Sequence, residues 1–504
     1  MLNLIEPDIV DFEDAYKKTL QEVEHRKFEN TNLRHIIRHL QNQLFGRSAD
    51  QVEVKGMFNE VESEVETAKE EKPEEPTTTV EGHTRKKAIR KPLPEYLQRK
   101  EIIYDLTSEE KICSCCNQEM RKIGEEASEQ LEFIPAHMEV LRHIRYKYAC
   151  GKCDGSSIKK AHMPEQAIPK SNAGPGLLAH LIVSKYQDAL PLYRQEQIFK
   201  RIGVDISRGV MASWIIKIAD LVMPLLNLMH EDLFAGEVIH CDETRVRVLK
   251  RDGLKVDGNS FMWVMGRWEK ERSIVLFEYD PTRSSAVPLR LFSEFAGYLQ
   301  VDGYDGYNAV TRVAPIKRVG CFAHVRRKFT DLLKSLKPKE RKNHTALEAL
   351  AFIKKIYAIE HKIIDATIHE KKEVRNKEST PVLDEFKLWL DRKITEIPPK
   401  SVYGRALAYA SNEWVYLVRY LEHGALRPDN NLAENAIRPF VIGRKNCLFS
   451  DTEKGAKASA MLYSLIETAK ANGLEPYAYL REVIAKLPSA RSLEDFEVLM
   501  PYRK

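Results

Sequence analysis

The stretch "GEVIHCDETRVRVL", Gly236 to Leu249, reads as a β-strand that is apolar at both ends and carries Asp242 and Glu243 in its middle. Burying an ionised carboxylate is costly unless a cation pairs with it. Therefore either the strand lies at a sheet edge with its acids in water, or a cation binds beside the acids. Because strand side chains alternate between two faces, Glu243 is predicted to lie opposite Asp242 and to be solvated or paired with Arg245.

The elements that follow this strand indicate its fold. "SFMWVMGRW" and "SIVLFEYD" read as two strands of an antiparallel meander, "PTRSSAVPLRLFSEF" as a helix, and "GYLQVDGYDGY" and "KRVGCFAHVRRKF" as a fourth strand and a fifth that runs into a helix. The order βββαβαβα predicts a ribonuclease-H-like core, in which the first and fourth strands are neighbours. Asp242 and Asp302 would then point to the same spot. Asp302 directly follows the apolar "YLQV" and is favoured over Asp305, which lies past Gly303.

A third acid is expected from a later helix, and "RPDNNLAENAIRPFVIGRKN" offers Glu434 behind a polar Asp429-Asn430-Asn431 cap. Carboxylates of this kind favour Mg²⁺ or Mn²⁺. Two such ions, about 3.5–4 Å apart, would activate a water or a 3′-hydroxyl for in-line displacement at phosphorus. The cations near these acids are predicted to bind DNA. They are His324, Arg326, Arg327 and Lys328, for which an amphipathic surface helix is the alternative, and Arg438, Arg444 and Lys445.

A histidine, a tryptophan and three cysteines in this part of the chain have a structural interpretation. His240 shares the face of Asp242, so it either approaches the phosphate or metal or is a hydrogen-bonded structural histidine. Trp263 is predicted to be core. Cys241, Cys321 and Cys447 are expected to be inert thiols in apolar settings.

Four of the 8 cysteines form two CxxC pairs about thirty residues apart. Cys113 and Cys116 make the first pair, Cys150 and Cys153 the second, and the alternating run "LEFIPAHMEVLRHIRYKYA" between them reads as strands. Four thiolates at this spacing predict a zinc ribbon. Sulfur fills every position, so the zinc is expected to be structural and to have no open site for chemistry.

Two helical segments precede the acidic strand. From about 12 to 46, leucines and other apolar residues recur at spacings of three, four and seven, which favours a short coiled coil over a helix packed on its own chain. Further on, "YRQEQIFKRIGVDISRGVMASWI" predicts a helix, a break at Gly203, an N-cap at Ser207 and a second helix that opens with Arg208. This is the layout of a helix-turn-helix, in which Arg208 would contact DNA, although plain helical hairpins share it.

The bulk composition is that of an ordinary soluble protein of several folded units. The chain has 504 residues, 43% of them hydrophobic and 30% charged, with a formal net charge of +5. Neither an apolar run long enough to span a bilayer nor a signal peptide is present, so we expect no membrane partner and a cytoplasmic, nucleoid-associated protein.

The resulting prediction is a multidomain α+β protein. Its predicted parts are a coiled-coil helix (1–50), a charged flexible linker (51–100), a zinc ribbon (101–165), a helical helix-turn-helix-like DNA-binding domain (166–232), a ribonuclease-H-like catalytic core (233–450) with a helical insertion at about 332–420, and a C-terminal helical element (451–504).

Taken together, these motifs resemble those of the insertion-sequence-66 family of DDE transposases. The resemblance covers nearly the whole chain and rests on "QLFGRSAD", the CxxC pairs, "HCDET", "VDGYDGYN", "CFAHVRRKF", "DNNLAENAIRP" and "SLIETAKANGLEPYAYL". It implies that Asp242, Asp302 and Glu434 form a catalytic triad. Such enzymes hydrolyse the phosphodiester at each element end and drive the freed 3′-hydroxyl into target DNA.

The sequence leaves two other functions open: a non-catalytic DNA-binding regulator that keeps the zinc ribbon and helix-turn-helix, and a structure-specific nuclease that cuts without joining. A transposase must bring together two terminal inverted repeats and a target DNA. We therefore expect a homodimer or higher oligomer on DNA, with the coiled coil as a dimer contact. The resemblance also implies small accessory proteins encoded by the same element.

Overall fold

The computed structural model describes residues 138–149, 163–250, 260–270 and 272–502, and the backbone of three strands at 77–80, 83–86 and 158–160. The predicted coiled coil, all four CxxC cysteines and most of the predicted linker lie outside the described residues. The chain divides into two compact units, Lys69–Tyr146 and the rest.

The unit Lys69–Tyr146 contains one antiparallel hairpin, β1 (Thr77–Val80) with β2 (His83–Lys86). Residues 138–146, which the alternating pattern predicts to be strand, carry no strand pairing in the structure. Most of their side chains are exposed, so no described strand packs beside them. Within the described part of the predicted run, residues 138–149, the end forms a strand, β3 (Lys147–Ala149), which belongs to the larger unit and pairs antiparallel with β4 (Ile158–Lys160).

The larger unit is built on a mixed five-stranded sheet. Its strands are β5 (Val238–Val246), β7 (Ser260–Arg267), β8 (Ile274–Asp280), β9 (Gly297–Gln300) and β10 (Ile316–Val319). They lie side by side in the order β10-β9-β5-β7-β8. The three strands of the meander are antiparallel, whereas β9 runs parallel to both β5 and β10. A separate parallel pair joins β6 (Val248–Lys250) to β11 (Ser450–Thr452).

The helices of this unit begin and end as follows: α1 Pro175–Tyr186, α2 Leu192–Arg201, α3 Arg208–Leu221, α4 Met223–Phe234, α5 Ala286–Leu291, α6 Val310–Val313, α7 Phe322–Ser335, α8 Pro338–Arg341, α9 Ala346–Lys362, α10 Ile368–Val374, α11 Thr380–Glu396, α12 Val402–Leu417, α13 Asn431–Cys447, α14 Glu453–Ala471, α15 Pro476–Lys486 and α16 Leu493–Val498. Single 3₁₀ turns lie at Asp305–Ala309, Val418–Leu421 and Leu487–Ser489, and a π turn at Arg375–Ser379 joins α10 to α11.

Two hydrophobic cores are present among the described residues. The larger core combines helices α1, α3 and α4 with the sheet, with α13 and with the C-terminal helices. Trp263, fully buried in it, is the core residue that the sequence predicts. The second core joins α7, α9, α11 and α12 beneath β10, so helices fill the interval between Asp302 and Glu434.

The helical hairpin before the sheet begins and ends where the sequence predicts. Helix α2 ends at Arg201, Gly203 has a φ of 81°, and α3 starts at Arg208. The hydroxyl of Ser207 accepts a hydrogen bond from the Val210 amide and caps α3. The hairpin is therefore confirmed as local structure, and its inner face packs into the core that it shares with the sheet.

Helix α14 closes one edge of the sheet. The Ser464 hydroxyl accepts from the Phe277 amide at 2.7 Å, and the Thr468 hydroxyl both accepts from the Val275 amide and donates to the Val275 carbonyl at 2.9 Å. An unpaired edge strand is a template for association with another chain. Side chains of α14 thus provide hydrogen-bond partners for backbone groups on the outer edge of β8.

Among the described helices, none is individually long and apolar enough to cross a membrane. Helices α3 and α4, bent by 49° at their junction, meet that criterion only as a pair and only by length and composition.

Candidate active site

The strand register places Asp302 beside Asp242. In the parallel pairing of β5 with β9, Val238 lies opposite Tyr298 and His240 opposite Gln300. Continuing the same register by two residues brings Asp302, just beyond the end of β9, level with Asp242. The Asp302 carboxylate accepts a hydrogen bond from the Tyr304 amide at 3.0 Å, which fixes it in the turn that leaves the strand. Asp305, by contrast, is exposed.

Glu434 reaches the same region from the first turn of α13. The helix begins after Asn430, and the Glu434 amide bonds to the Asn430 carbonyl at 3.2 Å. The polar residues ahead of the helix act as predicted only in part. Asp429 accepts from the Asn431 amide at 3.1 Å, whereas the Asn430 side chain turns toward the sheet instead of capping the helix.

The carboxylates of the other acids act electrostatically on Asp242. Burial, followed by the negative charges of Glu243, Glu434 and Asp302, raises the pKa of Asp242 well above its usual range. We call Asp242, Glu243, Asp302 and Glu434 the acidic cluster. Like charges gathered in a partly buried site favour either protonation or a bound cation.

The prediction that Glu243 is solvated or paired with Arg245 is wrong, whereas its predicted position opposite Asp242 agrees with the Tyr307 hydroxyl contacting both Cys241 Sγ and Glu243. Its side chain is only 1% exposed and pairs with Arg283 instead of Arg245. The Tyr307 hydroxyl donates to its other carboxylate oxygen. Burial and the Asp302 charge raise the pKa of Glu243. Neither alternation nor sequence spacing points to Arg283, which arrives from the loop after β8 and also lies over the Tyr304 ring at 3.9 Å.

Asn430 connects the helix of Glu434 to the strand of Asp242. Its Oδ1 lies 3.1 Å from His240 Nδ1, and its Nδ2 donates to the Cys241 carbonyl at 2.8 Å. Burial lowers the pKa of His240 to about 3, so this imidazole is neutral near pH 7. Of the two interpretations of His240, the structure therefore favours the hydrogen-bonded structural histidine. The sequence places Asn430 in a helix cap but does not predict these two contacts with β5.

Two residues of α7 contact Glu434. Arg327 donates to Glu434 Oε2 at 3.1 Å, and His324 Nδ1 lies 3.4 Å from Glu434 Oε1. Burial lowers the pKa of His324. Cys321 Sγ lies in the same place, within 4.8 Å of ligand atoms of His324 and Glu434. Burial raises the pKa of Cys321, and its sulfur accepts from the Asn430 amide at 3.2 Å, so the thiol is buried but lies among polar groups instead of in the apolar setting that the sequence predicts.

The other predicted DNA-binding cations occupy three places. Arg326 and Lys328 lie on α7, where Lys328 Nζ is 5.4 Å from the centre of the Tyr409 ring. Arg438, Arg444 and Lys445 lie further along α13; Arg438 donates to Asn435, and Arg444 donates to the Thr244 hydroxyl at 2.9 Å. Arg208 is exposed at the start of α3. The structure thus brings His324 and Arg327 to the acidic cluster and leaves Arg208 on the helical hairpin.

The donor set of the acidic cluster fits a hard divalent cation. Carboxylate oxygens are the ligands that Mg²⁺ and Mn²⁺ prefer. Glu434 Oε1 is buried and has no hydrogen-bond partner among the described residues, although Arg327 holds the second oxygen. Arg327 is the counter-ion of this carboxylate, and Oε1 is the oxygen that remains to ligate a cation. Asp242, Asp302 and Glu434 therefore suit a metal site.

Comparison with known families places this site within a recognised class of protein, the transposases. The description "Transposase IS66 family" matches residues 170–458, which include the sheet, α7 and α13. Three further matches flank or precede it: "zinc-finger binding domain of transposase IS66" at 110–154, "IS66 C-terminal element" at 464–502 and "Transposase C of IS166 homeodomain" at 32–102. The chain belongs to the IS66 transposase family.

Several relatives come from Sinorhizobium fredii (strain NBRC 101917 / NGR234). Uncharacterized protein y4jD is 31% identical over 422 residues, which cover 81% of each chain. Uncharacterized protein y4qI is 30% identical over 465 residues, covering 89% of this chain and 82% of the relative. Uncharacterized protein y4hP is 29% identical over 440 residues, or 84% and 78%. These similarities extend over most of the chain, but none of the three names describes an activity.

Proposed function

We propose that this chain is a DNA transposase of an insertion sequence that cleaves DNA at the element ends and transfers the 3′-hydroxyl strand into target DNA. Asp242, Asp302 and Glu434 would be its catalytic triad. The observation that carries the proposal is the convergence of three carboxylates from β5, from the end of β9 and from α13, inside the segment that matches the family.

The order of the sheet supports a ribonuclease-H-like core. Counted along the chain, the five strands lie in the order 5-4-1-2-3, with the first three antiparallel and the last two parallel to the first. This arrangement makes the first and fourth strands neighbours, which is the relationship that the proposed triad requires.

The triad would hold two Mg²⁺ or Mn²⁺ ions. When bound, such ions lower the pKa of a nucleophilic water or hydroxyl and stabilise the leaving oxygen during displacement at phosphorus. The acids themselves orient the site, since Asp242 and Glu434 are anchored on regular elements and Asp302 is fixed by the Tyr304 amide. Asn430 keeps α13 against β5 and so sets the position of Glu434 relative to Asp242.

Cations around the cluster would hold the DNA. Arg327 lies at the edge of the acidic cluster with a side chain 44% exposed, so it can meet a phosphate while its guanidinium also faces Glu434. Arg326 and Lys328 on the same helix, and Arg438, Arg444 and Lys445 along α13, would follow the backbone of the strand to be cut. Arg208 would contact DNA separately, from the helical hairpin.

The remaining parts complete the proposal. The match to a zinc-finger domain at 110–154 supports one structural Zn²⁺ on Cys113, Cys116, Cys150 and Cys153. We further propose the domain boundaries given above, a coiled-coil contact within a homodimer on DNA, and a cytoplasmic, nucleoid-associated location. Accessory proteins of the same element are additional proposed partners.

The test is strand cleavage of a labelled duplex that carries the terminal repeat of the encoding element. Native protein and Glu434→Gln would be compared in Mg²⁺ and in Mn²⁺, with zinc content measured in both. We expect metal-dependent cutting at the repeat boundary, with a joined product when target DNA is added, and loss of both products in the variant at unchanged zinc content.

Other outcomes distinguish the alternatives. Cutting without any joined product would favour the structure-specific nuclease. Binding of the duplex without cutting, by both proteins and in both metals, would favour the regulator or a requirement for the accessory proteins. Equal cutting by native protein and Glu434→Gln would exclude Glu434 as the third acid.

A further inference from the structure

A cavity of about 320 Å³ lies at the far end of α13 from Glu434. Helix α13 rises about 1.5 Å per residue, so the ten residues from Glu434 to Arg444 separate the cavity from the acidic cluster by about 15 Å. Successive phosphates of one strand of a DNA duplex are about 3.4 Å apart along the axis. A duplex whose axis ran along α13 would therefore place the cavity about four base pairs from the proposed cleavage position.

The cavity is lined by five cationic side chains and, among the described residues, by no carboxylate. The cations are Lys185, Arg245, Arg247, Arg444 and Lys445. Arg444 and Lys445 lie in the last turn of α13 and complement the negative end of its dipole. Lys185 belongs to α1, Arg245 to β5, and Arg247 follows the end of β5. Burial, followed by the neighbouring Arg245 charge, lowers the pKa of Arg444.

The rim of the cavity is a strained turn that presents two apolar side chains. The Phe449 amide donates to the Cys447 carbonyl at 2.7 Å, which closes a three-residue γ-turn around Leu448. Leu448 has a φ of 63° and a ψ of −45°, a conformation that is costly for a branched residue. Leu448 is 68% exposed and Phe449 46% exposed.

Contacts on both sides hold this turn in place. The Leu448 amide bonds to the Arg444 carbonyl and ends α13, and the Ser450 amide bonds to the Arg247 carbonyl as β11 joins β6. The Phe440 and Tyr463 rings, which also line the cavity, are buried and meet edge to face at 5.4 Å. The cavity thus combines cations for a phosphate with an exposed apolar pair at its mouth, in which Phe449 is the aromatic ring available to a base.

We propose that this cavity receives one unpaired nucleotide of the bound DNA, displaced from the duplex by the Leu448–Phe449 turn. The proposal rests on the proposed function for its substrate, DNA. Apolar side chains that enter between base steps unstack them, and aromatic side chains then stack on bases of any sequence. The volume lies in the range of about 300–1,000 Å³ that small-molecule sites occupy. The cations would hold the phosphates on either side of the displaced nucleotide.

The experiment uses the full chain and terminal-repeat duplexes in which 2-aminopurine replaces single bases from two to eight pairs on either side of the cleavage position. Ca²⁺ replaces Mg²⁺ so that binding is observed without cutting. We expect a severalfold rise of fluorescence at one or two adjacent positions with native protein. Phe449→Ala should abolish the rise and weaken binding about tenfold, whereas Phe449→Tyr should retain both.

Matched controls separate stacking from charge and from folding. Ile442→Ala removes a similarly exposed apolar side chain of α13 outside the cavity and should leave the fluorescence unchanged. Arg247→Ala should weaken binding and lower the slope of log affinity against log salt by about one. Lys339→Ala, which removes an exposed cation of α8, should change neither quantity.

The outcomes test this proposal separately from the proposed function. If Mg²⁺ supports cutting at the repeat boundary but no 2-aminopurine position responds, the cavity proposal is overturned and the transposase proposal stands. If fluorescence rises and Phe449→Ala removes the rise, while neither Mg²⁺ nor Mn²⁺ supports cutting, the cavity proposal stands, and the regulator or a requirement for the accessory proteins is favoured over cleavage by this chain alone. A duplex that does not bind at all would overturn both.

Discussion

Arg327 donates a hydrogen bond to Glu434 Oε2 at 3.1 Å, so a residue predicted to bind DNA is paired with the acid predicted to bind metal. Glu434 is 4% exposed and Arg327 lies at the surface of α7. The pair neutralises a buried carboxylate in the absence of a metal. If a metal ion took its place beside Glu434, as we propose, the same guanidinium would become available to a phosphate.

Arg327→Ala is therefore expected to have opposite effects on the two ligands. The half-saturating Mn²⁺ concentration should fall, because Glu434 no longer has a competing cation. Affinity for terminal-repeat DNA should fall about tenfold, and the slope of log affinity against log salt should decrease by about one. Titration of Mn²⁺ by electron paramagnetic resonance and fluorescence anisotropy of labelled DNA measure the two quantities. Parallel loss of metal and DNA binding would instead indicate a purely structural role.

The choice between Asp302 and Asp305 is tested by a matched pair of amide variants. Asp302 lies level with Asp242 and adds to its electrostatic environment, whereas Asp305 is exposed on the following 3₁₀ turn. We expect Asp302→Asn to lower the cleavage rate by about a hundredfold or more and Asp305→Asn to leave it within a few-fold. Single-turnover cleavage in Mg²⁺ gives both rates. The reverse order would assign the second metal-binding acid to Asp305.

The elements could be predicted largely from local patterns, because those patterns follow from burial and capping. The alternation around Asp242, the apolar "YLQV" before Asp302 and the Ser207 cap each specify one element without reference to the rest. The sheet order then follows from the sequence of strands and helices. Trp263 is buried as an apolar residue on a central strand should be.

The contacts that hold the acids could not be predicted, because their partners are remote in sequence. Glu243 is buried because Arg283 and Tyr307, 40 and 64 residues away, satisfy its carboxylate. Asn430 reads as a helix cap, yet its amide serves His240 and Cys241, more than 180 residues earlier. A strand pattern gives the face of a side chain but not the charge that another loop brings to it.

Asp242→Asn is expected to stabilise the metal-free protein. The pKa of Asp242 is raised by burial and by its carboxylate neighbours, so at pH 7.5 its charged form opposes folding. The amide removes that charge at nearly the same volume. Urea unfolding after dialysis without chelator, which preserves a structural zinc, should give a higher free energy of unfolding for the variant. Added Mg²⁺ should stabilise the native protein and leave the variant unchanged.

Asp305→Asn is the control, because it removes a carboxylate that is already exposed to water. Its free energy of unfolding should match that of the native protein within about 0.5 kcal/mol. If the Asp242→Asn variant is less stable than the native chain without Mg²⁺, the charged form of Asp242 does not oppose folding and instead makes a stabilising contact.

His240 is expected to make folding sensitive to mild acid. Burial lowers the pKa of its imidazole to about 3, while an unfolded histidine titrates near 6.5. Below pH 6.5 the unfolded chain binds a proton that the folded chain does not, so stability falls as the pH falls and continues to fall until about pH 3. Between pH 6.5 and 5.5 this single group costs at most about 1.4 kcal/mol.

His240→Gln should flatten that dependence. Urea unfolding of native and variant proteins at several pH values from 7.5 to 5.5 gives the difference between them, in which contributions of other histidines cancel. The variant should be less stable at pH 7.5, because its contact with Asn430 is altered, and the difference should narrow as the pH falls. A constant difference across this range would mean that the pKa of His240 is the same in the folded and the unfolded protein.

Glu413 links the helices between Asp302 and Glu434 to the acidic cluster. From α12 it accepts a hydrogen bond at 2.5 Å from Arg318, whose side chain is fully buried on β10. Arg318 also donates to the Asp302 carbonyl at 2.8 Å. Glu413→Ala leaves a buried guanidinium without its carboxylate and should lower the free energy of unfolding by about 3 kcal/mol. Removing the exposed Lys317–Glu422 pair by Glu422→Ala should cost less than about 1 kcal/mol.

The double variant Arg318→Met with Glu413→Leu separates stability from positioning. Replacing both partners of a buried ion pair by apolar side chains of similar size restores much of the stability lost when one is removed, because no charge is left unpaired. The Asp302 carbonyl nevertheless loses its donor, so the backbone that carries the second acid becomes less constrained. We expect urea unfolding close to native and a cleavage rate in Mg²⁺ reduced at least tenfold. Native stability together with native cleavage would show that the turn after β9 positions Asp302 without help from Arg318.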